Sequence, residues 1–176
     1  MNAISLFSGM GGDTLGITDA GFKVVAYNEN NKAACESHEA NWPESVCIVG
    51  DENTKNTKNI REIPDSKFQP YKGVVNLVFA GFPCQGFSQA GQKLPEDPRN
   101  TLFREFVRVV KIVEPDYILG ENVKGILTRQ TSEKELFKDI ITEEFNKLGY
   151  DMCCDKVDCV KYGVPQLRER VLFLGI

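Results

Sequence analysis

The 176-residue sequence predicts an α/β fold, a mostly parallel sheet with helices on both faces. Two observations carry this. Short apolar runs closed by Gly or Pro alternate along the whole chain with segments of helical period. The run Val74-Val75-Asn76-Leu77-Val78-Phe79-Ala80 is apolar on both faces, as a buried parallel strand must be.

The elements follow in order. Residues 3–7 read as a strand that ends in the turn Ser8-Gly9-Met10-Gly11-Gly12. A helix over 13–20 stops at Gly21, whose freedom at positive φ suits the residue just past a helix end. Residues 23–27 form the next strand, 30–40 a helix, and 46–49 a third strand leading to Gly50-Asp51. Residues 52–72 are rich in Asn, Thr, Lys and Pro and read mostly as connection. After the strand over 74–80 and a loop, Leu102, Phe103, Phe106, Val107 and Val110 mark one face of a helix that Pro115 ends. Residues 117–119 are a fifth strand running into Glu121-Asn122-Val123. Ser132 and Glu135 form a capping-box pattern that opens a helix carrying Leu136, Ile140, Ile141, Phe145 and Leu148, closed by Gly149. Strands near 152–159 and 171–175 flank Tyr162-Gly163-Val164-Pro165-Gln166.

Composition narrows the function classes. The net charge of −4 argues against strong non-specific nucleic-acid binding by this chain alone. Lys93, Arg99 and Arg104 are offset by Glu96, Asp97 and Glu105. No apolar stretch is long enough to span a membrane, and glycines interrupt any signal-peptide core at the N-terminus. Six cysteines are scattered without a CxxC pair, so zinc, redox and disulfide frameworks are unsupported and no metal is expected. The expected compartment is reducing and intracellular.

Two ends of the chemistry can be located. The glycine turn at 8–12 lets a ligand approach the backbone, and the following helix start offers N–H groups to an anion. The spacing is neither GxGxxG nor a P-loop, which leaves a carboxylate as the alternative anion. Glu29, past the second strand, is placed to accept both hydrogen bonds of a ribose diol. Asp51, past the third, is placed to accept one from an adenine amino group. S-adenosylmethionine meets all three demands, although Glu29 or Asp51 alone would pass for a solvated turn residue. Cys84 follows Pro83 at the carboxyl end of a strand, where open α/β sheets bind ligands. A lone cysteine is more often a small buried hydrophobe.

The motifs together resemble the DNA (cytosine-5) methyltransferases from the first strand to the last residue. Phe7-Ser8-Gly9-Met10-Gly11-Gly12 is similar to the family's cofactor motif, and Gly81-Phe82-Pro83-Cys84-Gln85-Gly86-Phe87-Ser88 to its nucleophile motif. Glu121-Asn122-Val123 is similar to its Glu-Asn-Val, and Gln166-Leu167-Arg168-Glu169-Arg170 to its Gln-x-Arg-x-Arg. The resemblance implies the S-adenosylmethionine-dependent methyltransferase (Rossmann-like) fold, with a mostly parallel seven-stranded sheet and one antiparallel strand. It implies methylation of cytosine C5 in double-stranded DNA. Cys84 would add to C6 of a flipped base as the thiolate. Glu121, a carboxyl kept partly protonated by burial, would assist at N3. Arg170 would face the base, and Arg168 would order the catalytic loop or the thiolate. Phe7, Gly9, Met10 and Gly12 would line the methionine and adenosine, Glu29 the ribose and Asp51 the adenine. Pro83 and Leu102 would border the methyl-donor side. Asn30 would adjoin the adenine, where some members carry an aromatic or aliphatic residue. Residues 85–100 would close over the pocket as a mobile loop, the alternative being an ordinary surface loop.

The family's pattern continues past Gln-x-Arg-x-Arg into a target-recognition region and a final Asn-containing segment. Residues 1–176 are therefore expected to be a catalytic, cofactor-binding domain without these parts, incomplete at the C-terminus. A fragmentary gene product, one subunit of a split enzyme, or a piece of a larger protein would each account for this. The expected function is cytosine-5 methylation with DNA recognition supplied by a second polypeptide or further sequence. The alternatives are an inactive S-adenosylmethionine-binding fragment or regulatory remnant, and a tRNA cytosine-5 methyltransferase. The DNA target sequence and the base that removes the C5 proton are not legible.

Overall fold

The computed structural model describes residues 1–56, 58–83, 102–131 and 133–176. The chain divides into two compact parts, Met1–Gly81 with Arg108–Ile118 and Phe82–Val107 with Leu119–Ile176.

In the first part, β1 (Asn2–Leu6) leads through the glycine turn into α1 (Gly12–Asp19), followed by β2 (Lys23–Asn28), α2 (Lys32–Asn41), β3 (Val46–Cys47) and β4 (Leu77–Ala80). β1 pairs in parallel with both β2 and β4, and β2 with β3, as short helical crossovers require. β1 is buried on both faces, with Ala3, Ile4, Ser5 and Leu6 all at 0 % exposure, which explains why its sequence shows no alternation. Gly21 takes φ +89° past the end of α1, as the sequence requires. Asn31 caps α2, its Oδ1 accepting the Ala34 N–H at 3.0 Å. Between β3 and β4 the chain makes three 3₁₀ turns at Ile60–Glu62, Asp65–Lys67 and Gln69–Tyr71, held by Arg108. The Arg108 guanidinium covers the buried Phe68 ring, pairs with Asp65 and donates to the Ile60 carbonyl at 2.8 Å.

The remaining elements are α3 (Phe103–Val113), β5 (Tyr117–Val123), α4 (Phe137–Asn146), β6 (Met152–Asp158) and β7 (Glu169–Gly175). The sheet order is β3-β2-β1-β4-β5-β7-β6. β6 and β7 are antiparallel, in register from Met152 opposite Gly175 to Asp158 opposite Glu169. The core of the second part is aromatic. Phe106 meets Phe145 edge-on with ring centroids 4.8 Å apart, and Phe82 lies 6.3 and 6.4 Å from Phe106 and Phe173. Gly120 of β5 leaves room for them: a Cβ there would stand 3.3 Å from both Phe106 and Phe82.

Several expected boundaries are corrected: the third strand ends at Cys47 and not at 49, and the fifth runs on to Val123 instead of stopping at 119. The strand expected over 74–80 begins at Leu77, because the Val74 and Val75 N–H groups both turn back to the Tyr71 carbonyl at 3.1 Å. The helix expected to open at the Ser132–Glu135 capping box begins at Phe137 instead, with Leu136 as N-cap and no side-chain cap. Its approach is a turn in which Thr131 accepts the Glu135 N–H on Oγ1 at 3.2 Å and Gln130 bridges Leu136. Ser132 itself lies outside the described residues. Among the described residues no helix is long and apolar enough to cross a membrane.

Candidate functional site

The glycine turn of the first part is built by backbone that leaves extended geometry as soon as β1 ends. Phe7 takes φ +57°, uncommon for a side chain of that size, and Gly9 and Gly11 follow at +57° and +93°. A Cβ on Gly9 or Gly12 would have no described residue within 4 Å, so among the described residues the turn faces open space at both positions. Glu29, past β2, reaches back to it: Oε2 accepts the Gly9 N–H at 2.9 Å and Oε1 the Asn31 N–H at 2.7 Å. A carboxylate has about four acceptor sites, so these two bonds orient Glu29 and leave capacity for a diol. The expected residues Phe7, Gly9, Met10, Gly12 and Glu29 thus belong to one turn and the strand end bonded to it. Met10 is 64 % exposed and Asn30 is exposed. Asp51 is half-buried in a turn of its own, where the Thr54 N–H, 3.0 Å from Oδ1, holds its carboxyl below the usual range. That turn is tied to β2 by Asn28, whose Nδ2 donates to the carbonyls of Ile48 and Lys58 at 3.0 and 3.1 Å.

Beneath the turn lies a polar cluster that no motif announces. Asp13 accepts from Ser5 and, at 3.1 Å, from Ser8. Burial pushes its carboxyl above the ordinary value, although both serines pull the other way. Thr14 Oγ1 lies 3.4 Å from Ser8 Oγ and 3.0 Å from Nε2 of His38, which is fully buried on α2. The His38 ring stacks on Tyr27 at 3.7 Å, and burial lowers its affinity for a second proton. A histidine in the last turn of a helix, 24 residues from its partner, offers no local signal.

In the second part, Glu121 of β5 and Arg170 of β7 are brought together, with Arg170 Nε donating to Glu121 Oε1 at 2.7 Å. Both side chains are about one-quarter exposed, at 28 % and 22 %. Arg170 Nη1 also donates to the Glu169 carbonyl at 2.8 Å, which fixes the plane of the guanidinium. Glu169 is held down to about 2 by Lys124 and Lys156. Arg168 is exposed, its carbonyl accepting the Cys159 N–H at 2.9 Å. Asn122, 2 % exposed, was not singled out beyond its place in the Glu-Asn-Val motif, yet its Nδ2 donates to the Phe82 carbonyl at 3.1 Å. With the Phe82 ring in the aromatic core, this fixes the chain entering Pro83, which is half-buried. Leu102 is half-buried just before α3. Cys84 and the expected loop 85–100 lie outside the described residues. The other cysteines are free: Cys35 is buried, Cys153 exposed and the rest half-buried. Burial raises the thiols of Cys47 and Cys154. Among the described residues no group of three or more His, Cys, Asp or Glu is arranged to hold a metal ion.

A sheet in this order, with a glycine turn after β1 and a carboxylate after β2, defines an α/β protein of the methyltransferase class. The family model for C-5 cytosine-specific DNA methylases matches residues 1–176. The chain is 38 % identical over 176 residues to the Type II methyltransferase M.DdeI of Desulfomicrobium norvegicum, covering 100 % of this chain and 40 % of the relative. It is 39 % identical over 176 residues to M1.HphI of Haemophilus parahaemolyticus, covering 98 % and 45 %. A crystal structure described as a DNA modification methyltransferase encoded within an Escherichia coli prophage superposes with TM-score 0.73 at 31 % identity, covering 100 % of this chain and 46 % of that one. The Schizosaccharomyces pombe Dnmt2 methyltransferase shares the fold, with TM-score 0.72 at 20 % identity, covering 99 % of this chain and 48 % of that one. The chain belongs to the C-5 cytosine-specific DNA methylase family. It spans under half the length of these relatives.

Proposed function

We propose that this chain is the catalytic portion of an enzyme that methylates C5 of cytosine in DNA, with S-adenosylmethionine as methyl donor. The observation that carries the proposal is the family match across all 176 residues, motifs included. The residues present fit the donor: open space over Gly9 and Gly12 admits a ligand against the backbone, and Glu29 is oriented beside them with acceptor capacity to spare. When bound, the donor supplies an electrophilic methyl group. The turn Phe7–Gly12 with Met10, Glu29, Asn30 and Asp51 would hold it, and Pro83 and Leu102 would border the methyl.

Cytosine C5 is too weak a nucleophile to take that methyl unaided. The Cys84 thiolate adds to C6, forming a C–S bond and moving electron density through the ring to C5. Glu121 would assist at N3, and Arg170, which donates to its Oε1 at 2.7 Å, would hold that carboxyl in place while its guanidinium faces the base. Arg168 assists from the neighbouring loop. After transfer a base removes the C5 proton, the C–S bond breaks and Cys84 leaves as thiolate. DNA recognition is assigned to a second polypeptide or to further sequence, and the substrate places the reaction inside the cell.

The test is covalent capture on duplex DNA containing 5-fluorocytosine with labelled S-adenosylmethionine, using the chain alone and mixed with the DNA-recognising remainder of a relative. The expected result is a denaturation-resistant adduct in the complemented sample that Cys84→Ser abolishes. No adduct and no transferred label in the complemented wild type would overturn the proposal. Full activity in Cys84→Ser would overturn the nucleophile assignment alone.

A further inference from the structure

The polar cluster beneath the glycine turn forms one connected line. It runs from α2 through α1 to the residue just before Gly9: His38 Nε2 to Thr14 Oγ1 at 3.0 Å, Thr14 Oγ1 to Ser8 Oγ at 3.4 Å, and Ser8 Oγ to Asp13 Oδ1 at 3.1 Å. His38, Thr14 and Ser8 are 0 %, 1 % and 5 % exposed, so water does not compete for these bonds.

The direction of the line follows from burial. His38 Nδ1 has no partner on another described residue. A neutral ring carries one proton, and an orphaned buried N–H costs more than a bare ring nitrogen. With that proton on Nε2, the ring donates to Thr14. The Thr14 hydroxyl is then free to donate to Ser8, and Ser8 to the Asp13 carboxylate, so each donor in turn strengthens the next.

Packing fixes where His38 stands. Its ring lies on Tyr27 of β2 with planes 15° apart, and the Tyr27 hydroxyl donates to Glu39, the next residue on α2, at 3.1 Å. On the turn's other flank, a Cβ on Gly11 would fall 2.5 Å from the Trp42 indole and 3.0 Å from the His38 ring. The turn backbone thus rests directly on side chains from α2 and the residue after it.

We propose that His38, acting through Thr14 and Ser8, is a positioning residue that holds the glycine turn in its ligand-receiving shape. His38 touches no ligand in this scheme. The inference rests on the reading that the turn receives S-adenosylmethionine, and it adds a determinant of cofactor affinity on an element outside the turn.

The test pairs amide hydrogen exchange over residues 7–14 with calorimetric titration of S-adenosylhomocysteine, on the wild type, Thr14→Val, His38→Phe and His38→Gln. Thr14→Val keeps the shape and removes the hydroxyl; His38→Phe keeps the stack and removes the N–H; His38→Gln keeps a donor. Thr14→Val and His38→Phe are expected to speed exchange in the turn and weaken binding by about three- to tenfold. His38→Gln should recover part of both, and exchange in β4 should stay as in wild type, which loss of the whole fold would not allow. Wild-type exchange and affinity in both Thr14→Val and His38→Phe would overturn the proposal. A wild type that binds no S-adenosylhomocysteine, while turn exchange still responds to the substitutions, would uphold the positioning role and sink the cofactor reading.

Discussion

Asp13 and His38 stand three hydrogen bonds apart at the two ends of the same line and titrate with opposite consequences. Asp13 is raised from its ordinary 3.8, so the folded chain holds this proton more tightly than the unfolded one. Its contribution is most favourable below about pH 4 and declines as pH rises through the folded value. Asp13→Asn is accordingly expected to be more stable than wild type near pH 7, with the gap closing toward pH 4, as read from urea unfolding. His38 is lowered from 6.5, chiefly by burial, while Glu39 and Glu29 oppose that shift. The unfolded chain then binds the proton more readily, and stability falls as pH drops below about 6.5. His38→Gln should flatten that slope between about pH 5 and 7, whatever it does to absolute stability.

Turns and strand ends set the site, and they also limit what could be read from sequence. The βα alternation was legible because apolar runs end abruptly at Gly21, Pro115 and Gly149, which cannot continue the element. The strand before Cys84 was read too long because apolar character marks burial and does not mark pairing; Val75 is buried yet bonds back to Tyr71. Ser132 and Glu135 mislead because a capping pattern is local, whereas the start of α4 follows a turn in which the Thr131 N–H donates to the Glu135 carbonyl and the Glu135 N–H to Thr131 Oγ1. The Glu121–Arg170 pair was foreseeable only as two motifs, since β5 and β7 lie 45 or more residues apart in the chain and meet only once β7 is laid beside β5. Asn122 shows what a motif hides: mutation to Ala orphans the Phe82 carbonyl and should cost about 1–3 kcal/mol in urea unfolding. Gly11→Ala places a Cβ against Trp42 at a φ of +93° and should cost about 1–3 kcal/mol by the same measurement, with weakened S-adenosylhomocysteine binding.

Taken whole, the molecule is acidic, with 25 Asp and Glu against 21 Lys and Arg. Few phosphates can be neutralised by such a surface, so the chain alone should form no duplex-DNA complex that survives about 0.15 M salt in a mobility-shift assay. Adding the DNA-recognising remainder of a relative should restore a complex whose affinity falls steeply with salt.

Cys153 lies on β6, the last strand of the sheet order, and is exposed, whereas the raised thiols of Cys47 and Cys154 stay protonated at neutral pH. Among the described cysteines, air oxidation therefore has a preferred target in Cys153. Stored without reductant, the chain should age into a thiol-reversible dimer, and Cys153→Ser should slow that ageing. Among the described cysteines, the sulfur that ages first is then one that the proposed reaction never uses.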